Sequence, residues 1–275
     1  VQALTTAQAA NLGTTQVAAL TTANVGFIET ADLAAMSTTA IAGLNSAQVK
    51  ALTTNQVVAL TSNQAGALGS AQVAALTANA VGALETVDMN QLATAGIAAF
   101  GTAQVAAITT SQMTSLATAS VAALNTAAIA ALSTNQVVAL TSAQVGSLGT
   151  AQIVAMGSKA IGAIETADLA GLTTNQMAAM RTTQVLGLTV DQVANLSTNQ
   201  VLALSSAAIN ALNSTQVQAL TTAQAANLGT TQVAALTTAN VGFIETADLA
   251  AMSTTAIAGL NSAQVKALTT NQVVA

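Results

Sequence analysis

Several residue types that carry chemistry or rigidity are missing from this sequence. Its 275 residues include no cysteine, proline, histidine, tryptophan or tyrosine, and phenylalanine occurs three times. Without cysteine the chain has no disulfide framework and no thiolate metal site. Without histidine it has no imidazole base and no Ser-His-Asp triad. Hydroxyl nucleophiles are abundant, but no histidine is present to activate them, so we expect no enzymatic activity and no cofactor.

Charge is also scarce, since charged residues make up 5% of the chain and the formal net charge is −5. Four basic residues cannot form a phosphate-binding surface, so we expect no nucleic-acid partner. They stand singly and are expected to be solvated: Lys50, Lys159, Arg181 and Lys266.

The chain is 52% hydrophobic, but its hydrophobic residues do not form long runs. Thr, Ser, Gln or Asn interrupts every apolar stretch within a few positions. A membrane-spanning helix needs about 18–20 consecutive apolar residues. We therefore expect no transmembrane segment.

Apolar residues recur with a period of eight, and the 275 residues contain 34 complete octads without insertion or deletion. The consensus octad reads Val-small-Ala-Leu-Thr-Thr-x-Gln. The Leu column begins with Leu4, Leu12, Leu20, Ile28, Met36, Leu44, Leu52, Leu60 and Leu68. The Val column begins with Val1, Ala9, Val17, Val25, Leu33, Ile41, Val49 and Val57. We interpret residues 1–275 as a single continuous octapeptide array.

The octads are themselves part of a longer repeat. Residues 1–59 recur letter for letter as residues 217–275, an offset of 216 residues or 27 octads. Such identity indicates a window of a longer natural tandem array, with a designed concatemer as the alternative. The irregular variation among octads favours the natural array.

The spacing of the two columns alternates between three and five residues, which does not fit a strand with its period of two. A continuous helix also fails, because eight residues turn it by about 800° and the apolar columns would spiral around its axis. One short helix of about six residues per octad fits, and abundant alanine supports it. The sequence therefore predicts an all-α repeat solenoid. A β-solenoid is the alternative, because Thr and Val favour strands and the Thr column could stack as a ladder.

The polar positions of the octad allow two helix registers. Thr53 with Gln56 matches a capping box, and Leu52 with Val57 matches a hydrophobic staple. Alternatively, the cap lies at Thr54 and small residues end the preceding helices with positive φ. These residues are Gly13, Gly69, Gly149, Asn45 and Asn125. In both registers we expect buried Val and Leu columns and a Thr-x-Gln segment at the surface.

The nine acidic residues are unevenly distributed, since only Asp191 stands alone. The other eight form pairs within one variant of the octad: Glu29/Asp32, Glu85/Asp88, Glu165/Asp168 and Glu245/Asp248. Carboxylates three residues apart share a helical face and are weak candidates for Ca²⁺ ligands, but a full site needs about six to eight oxygens. We favour helix capping, with Asp in the first turn and Glu solvated, and expect no metal.

The bulky apolar residues divide into two groups. All seven methionines lie in the apolar columns, and so does Phe100, which predicts that they fill the core. Phe27 and Phe243 instead occupy a position that is mostly Ala or Gly. Each ring either fills a local widening or projects toward a partner, so these two residues are our candidates for interaction.

In its Thr/Ala-rich octads the whole chain resembles the low-complexity arrays of very large bacterial surface and secreted proteins, such as adhesin stalks and filament proteins. The resemblance is one of composition, and it implies secretion and a structural role. The expected function is a segment of an extracellular filament, sheath or stalk whose partners are other copies of the same chain. The alternative is an ice-binding protein that uses regular Thr arrays.

Overall fold

Each octad forms one short α-helix. A computed structural model describes residues 3–274, with Val1, Gln2 and Ala275 outside the described part. The helices are four to six residues long, and residues 3–274 contain no strand. The all-α repeat solenoid is therefore confirmed, and the β-solenoid is wrong. Val1, the first member of the Val column, lies outside the described residues.

The chain divides into two compact units, Val1–Ala139 and Leu140–Ala275. The first contains α1 Thr6–Ala10, α2 Thr14–Ala18, α3 Thr22–Gly26, α4 Thr30–Ala35, α5 Thr38–Ala42, α6 Ser46–Ala51, α7 Thr54–Val58, α8 Ser62–Ala67, α9 Ser70–Ala75, α10 Ala78–Ala83, α11 Thr86–Met89, α12 Thr94–Ile97, α13 Thr102–Ala107, α14 Thr110–Ser115, α15 Thr118–Ala123, α16 Thr126–Ala130 and α17 Thr134–Val138.

The second unit contains α18 Ser142–Ser147, α19 Thr150–Ala155, α20 Ser158–Ala163, α21 Thr166–Leu169, α22 Thr174–Ala179, α23 Thr182–Val185, α24 Val190–Asn195, α25 Thr198–Ala203, α26 Ser206–Ala211, α27 Ser214–Gln218, α28 Thr222–Ala226, α29 Thr230–Ala235, α30 Thr238–Val241, α31 Thr246–Ala251, α32 Thr254–Ile257, α33 Ser262–Ala267 and α34 Thr270–Val274.

The residue that follows the Leu column is the N-cap, so the capping-box register is confirmed. At α7 the Thr53 hydroxyl accepts the Gln56 N–H at 3.3 Å, and Gln56 Oε1 accepts the Thr53 N–H at 2.8 Å. These bonds satisfy two of the amide groups that a helix start leaves unpaired.

The alternative register is wrong. Gly13, Gly69 and Gly149 are N-caps in extended conformation, and Asn45 and Asn125 accept backbone N–H groups as N-caps. No residue among 3–274 has positive φ. Many helices end instead in an extended Leu-column residue, as at Leu52 with φ −60° and ψ 134°, so the chain turns without a left-handed residue.

The two apolar columns form the core, as predicted. Leu52 and Val57 are buried, and so is Phe100. The methionines are buried as well: Met36, Met89, Met113, Met156, Met177, Met180 and Met252. A helix of four to six residues has little stability of its own, so this burial is the main source of order.

Within each unit, every helix packs against the helix three positions further along the chain, from α1 on α4 to α14 on α17 and from α18 on α21 to α31 on α34. Glutamine side chains in addition reach back to the helix four positions earlier. One superhelical coil therefore takes between three and four octads.

Identical sequences show that burial comes from the neighbouring coil. Val49 and Val265 occupy the same position of the 59-residue repeat. Val49 lies on α6, which packs against α9, and is 1% exposed, whereas Val265 on α33 is 51% exposed. Residues 3–274 contain no helix three positions beyond α33. An octad therefore cannot bury its apolar face alone, as in other solenoids.

Candidate functional site

The glutamine at the third helical position is buried between coils, which corrects the expectation that the Thr-x-Gln segment lies at the surface. Gln56 is 2% exposed. Its Nε2 donates to the carbonyls of Val25 and Ile28, both at 2.8 Å, while its Oε1 accepts the Thr53 N–H. The amide is thus fully used, with both of its N–H groups donated to the preceding coil.

The same bonds recur with a constant register, to the carbonyls 31 and 28 residues earlier. We call these residues the inter-coil glutamines. They are Gln48, Gln56, Gln64, Gln72, Gln104, Gln112 and Gln136 in the first unit. In the second unit they are Gln176, Gln184, Gln192, Gln200, Gln216, Gln224, Gln232, Gln264 and Gln272.

The carbonyls that receive these bonds belong to the Val and Leu columns, where each helix ends. The last carbonyls of a helix have no partner within the helix, and leaving them buried and unpaired is costly. Each inter-coil glutamine therefore satisfies the N-terminus of its own helix and the C-terminus of the helix four positions earlier. It fixes the register between coils by hydrogen bonds, while the apolar columns supply the burial.

In two octads without this glutamine, an asparagine donates to the carbonyl of the Leu column instead. Ala128 stands at the glutamine position of α16 and cannot reach the carbonyl of Phe100, 28 residues earlier. The N-cap of the same helix, Asn125, donates to that carbonyl at 3.0 Å. Asn240 occupies the glutamine position of α30 and donates to the carbonyl of Leu212.

The family model for the ALTTAQ repeat matches residues 25–62, 81–118, 115–150, 161–198, 198–230 and 241–275. These segments cover most of the array. The chain belongs to the ALTTAQ repeat family. No curated protein matches the chain.

The six letters of the ALTTAQ motif correspond to the parts that build the coil. Residues 219–224 read Ala-Leu-Thr-Thr-Ala-Gln. Leu220 is buried in its column, Thr221 is the N-cap, Thr222 begins α28, and Gln224 is an inter-coil glutamine. The motif therefore specifies core, cap and register, and these are structural properties.

In the four acidic octads, aspartate occupies the position of the inter-coil glutamine. Asp32, Asp88 and Asp248 are buried, and Asp168 is partly buried. A carboxylate has no N–H to donate, and three of the aspartates instead accept a hydrogen bond from a hydroxyl of the preceding coil. The bonds join Ser62 Oγ to Asp88 at 2.6 Å, Ser142 Oγ to Asp168 at 2.5 Å and Thr222 Oγ1 to Asp248 at 2.7 Å.

The glutamates of these octads lie at the surface, unlike the aspartates. Glu29, Glu85, Glu165 and Glu245 are exposed N-caps whose side chains make no capping bond. In each pair the Glu therefore lies in solvent, while the Asp lies at the contact between coils. Residues 3–274 bring no three acidic side chains together in a group that could hold a metal ion.

Removing a hydroxyl donor tests the role of these aspartates. The Ser62→Ala variant is expected to lower the free energy of unfolding by about 1–2 kcal/mol, because the buried carboxylate of Asp88 loses its donor. Urea denaturation followed by circular dichroism measures the change. The matched control is Ser142→Ala, where solvent reaches Asp168 and we expect less than about 0.5 kcal/mol. Equal losses in the two variants would contradict this account.

The two candidate interaction residues lie at the surface. Phe27 is 60% exposed and Phe243 is 44% exposed, so these rings do not fill a widening of the core. Phe243 lines a shallow cleft together with Glu245, Thr246 and Asn271. Among residues 3–274, no helix has both the length and the apolar character needed to span a bilayer.

Proposed function

We propose that this chain is a segment of a long extracellular filament, sheath or stalk, whose role is structural and not enzymatic, and which associates with other copies of itself. The observation that carries the proposal is the constant register of the inter-coil glutamines in both units. A contact that repeats unchanged from coil to coil lets length grow with the number of octads, as a structural element requires.

The surface supports the association of copies. The Thr or Ser that begins nearly every helix is largely exposed, as at Thr54, and the whole chain carries 5% charged residues. Low charge offers little electrostatic repulsion between copies. Several apolar side chains are also more than 40% exposed, including Val58, Val138, Leu186 and Leu202. The extracellular location rests on composition, through the likeness to Thr/Ala-rich arrays of secreted proteins.

Sedimentation velocity of the purified chain at micromolar concentration tests the association. We expect species larger than the monomer, whose share grows with protein concentration. Because few charges are available to hold copies together or apart, the distribution should change little between about 50 and about 500 mM salt. A well-folded monomer at every concentration would overturn the self-association part of the proposal.

Ice binding is the second candidate, and one observation favours it. Because a coil takes between three and four octads, the Thr or Ser that begins nearly every helix returns to a given side about once per coil. That arrangement provides a regular row of hydroxyls. Where the N-cap is also Thr, its hydroxyl accepts a hydrogen bond from its own helix, as at Thr53, so the row consists of the hydroxyls one position later. Inhibition of ice recrystallisation by the purified chain would favour this function over the structural one.

A further inference from the structure

The two exposed phenylalanines share a chemical neighbourhood. Phe243 follows α30, and Glu245 two residues later is the N-cap of α31. Both line the shallow cleft, whose other walls include Gln218 of α27 and Asn271 of α34. Since α27 packs on α30 and α31 packs on α34, the cleft lies where successive coils meet.

The carboxylate in this cleft is available to a ligand. Glu245 is exposed and makes no capping hydrogen bond to α31, in contrast to N-cap residues such as Thr237. No basic residue lines the cleft. An aromatic ring and an acidic group thus line the same cleft, and its other lining residues are uncharged.

Packing does not account for the phenylalanine. The four acidic octads read VGFIETADL, VGALETVDM, IGAIETADL and VGFIETADL. Ala83 and Ala163 take the place of Phe27 and Phe243 in the two central octads. The helices of these octads also pack against the helix three positions further along the chain. A ring that is half exposed gains little from its own burial, so its exposed part can contact a ligand in the cleft.

We propose that this cleft binds an alkylammonium group, seated between the face of Phe243 and the carboxylate of Glu245. The face of an aromatic ring attracts cations, and ammonium groups are recognised by aromatic and acidic side chains together. Phe27 and Glu29 repeat this sequence pair in the first unit, so we expect the same binding there. This binding activity is separate from the proposed structural role.

The chain offers a direct measurement, because its three phenylalanines give three ring signals in an NMR spectrum of protein with labelled phenylalanine. The probe is tetramethylammonium chloride, and Phe27→Leu and Phe243→Leu assign the signals. We expect the rings of Phe27 and Phe243 to shift with a dissociation constant on the order of millimolar. The buried ring of Phe100 should not shift and is the internal control.

The acidic partner is tested by the Glu29→Gln and Glu245→Gln double variant, which should weaken binding about two- to fivefold. The matched control is Glu85→Gln with Glu165→Gln, which changes the octads that lack phenylalanine and should leave the affinity unaltered. Comparing choline with Nα-acetyl-lysine methylamide shows whether a quaternary ammonium or a protein lysine is the better ligand.

Four results would overturn the proposal. One is the absence of any ring shift up to about 100 mM probe, and another is an equal shift with neutral neopentyl alcohol. The third is undiminished binding in the Glu29→Gln and Glu245→Gln double variant. The fourth is a response to N-acetylglucosamine without a response to the ammonium ions, which would assign the cleft to saccharides.

Discussion

Replacing the buried Gln112 by glutamate is expected to lower the free energy of unfolding by about 3–5 kcal/mol at neutral pH. Gln112 Nε2 donates to the carbonyls of Val81 at 2.9 Å and Leu84 at 2.7 Å, and its Oε1 accepts the Thr109 N–H at 2.7 Å. A glutamate keeps the acceptor for Thr109. Its second oxygen, however, faces two carbonyl oxygens, so a buried charge meets acceptors and two carbonyls lose their donor.

The loss of unfolding free energy in the Gln112→Glu variant should depend on pH. Burial and the facing carbonyls favour the neutral acid, so the pKa of the new carboxyl is raised in the folded state above its unfolded value of about 4.3. A raised folded pKa gives stability that is fully present below the unfolded pKa and lost as pH rises through the folded pKa. Below about pH 4 the protonated acid also donates to one carbonyl, so the variant should recover part of its stability.

Chemical denaturation at several pH values measures this effect against Gln16→Glu. Gln16 is exposed, and its Oε1 accepts the Gly13 N–H at 2.8 Å. A glutamate there keeps that bond and stays in water, so we expect a change within about 0.5 kcal/mol and little pH dependence. If the two variants lost equal stability, the bonds between coils would not hold the register.

The sequence predicts the helices and the core but not the contacts between coils. The spacing of Leu52 and Val57, with the cap signals at Thr53 and Gln56, is enough to place one helix in each octad. The side on which Gln56 lies depends on how many octads complete a coil, since its partners are 28 and 31 residues away. That number follows from the packing of helices, and an octad pattern alone does not contain it.

One signal in the sequence does indicate the buried glutamine. Glutamine occupies its column in 20 of the 34 octads, and a solvated side chain has no reason to recur so often at one position. Its replacements are mostly smaller or acidic, such as Ala128 and Asp88. For the acidic pairs, the helical spacing correctly places Asp in the first turn. It does not reveal that Asp88 is buried against Ser62, because that residue belongs to the preceding coil.

The Gly171→Ala variant is expected to lower the free energy of unfolding by about 3 kcal/mol, at the upper end of the cost of overpacking. Gly171 follows α21, which packs on α18. A methyl group at Gly171 would overlap the carbonyl oxygen of Ser142 at the start of α18. The same coils are also close at Gly146, where a methyl group would lie 2.6 Å from the carbonyl oxygen of Gly171. Backbone lies on both sides of this contact, so no flexible side chain can move aside.

The cost arises from the approach of two coils and not from the conformation of the glycine, because no residue among 3–274 has positive φ. Gly26→Ala is the matched control. A methyl group there would lie 3.5 Å from the carbonyl oxygen of Ala51, an ordinary contact. Alanine in place of this helical glycine should be neutral or stabilise the fold by about 0.5–1 kcal/mol. Urea midpoints of the two variants measure the difference, and a Gly171→Ala chain as stable as Gly26→Ala would mean that the coils around α18 and α21 are free to separate.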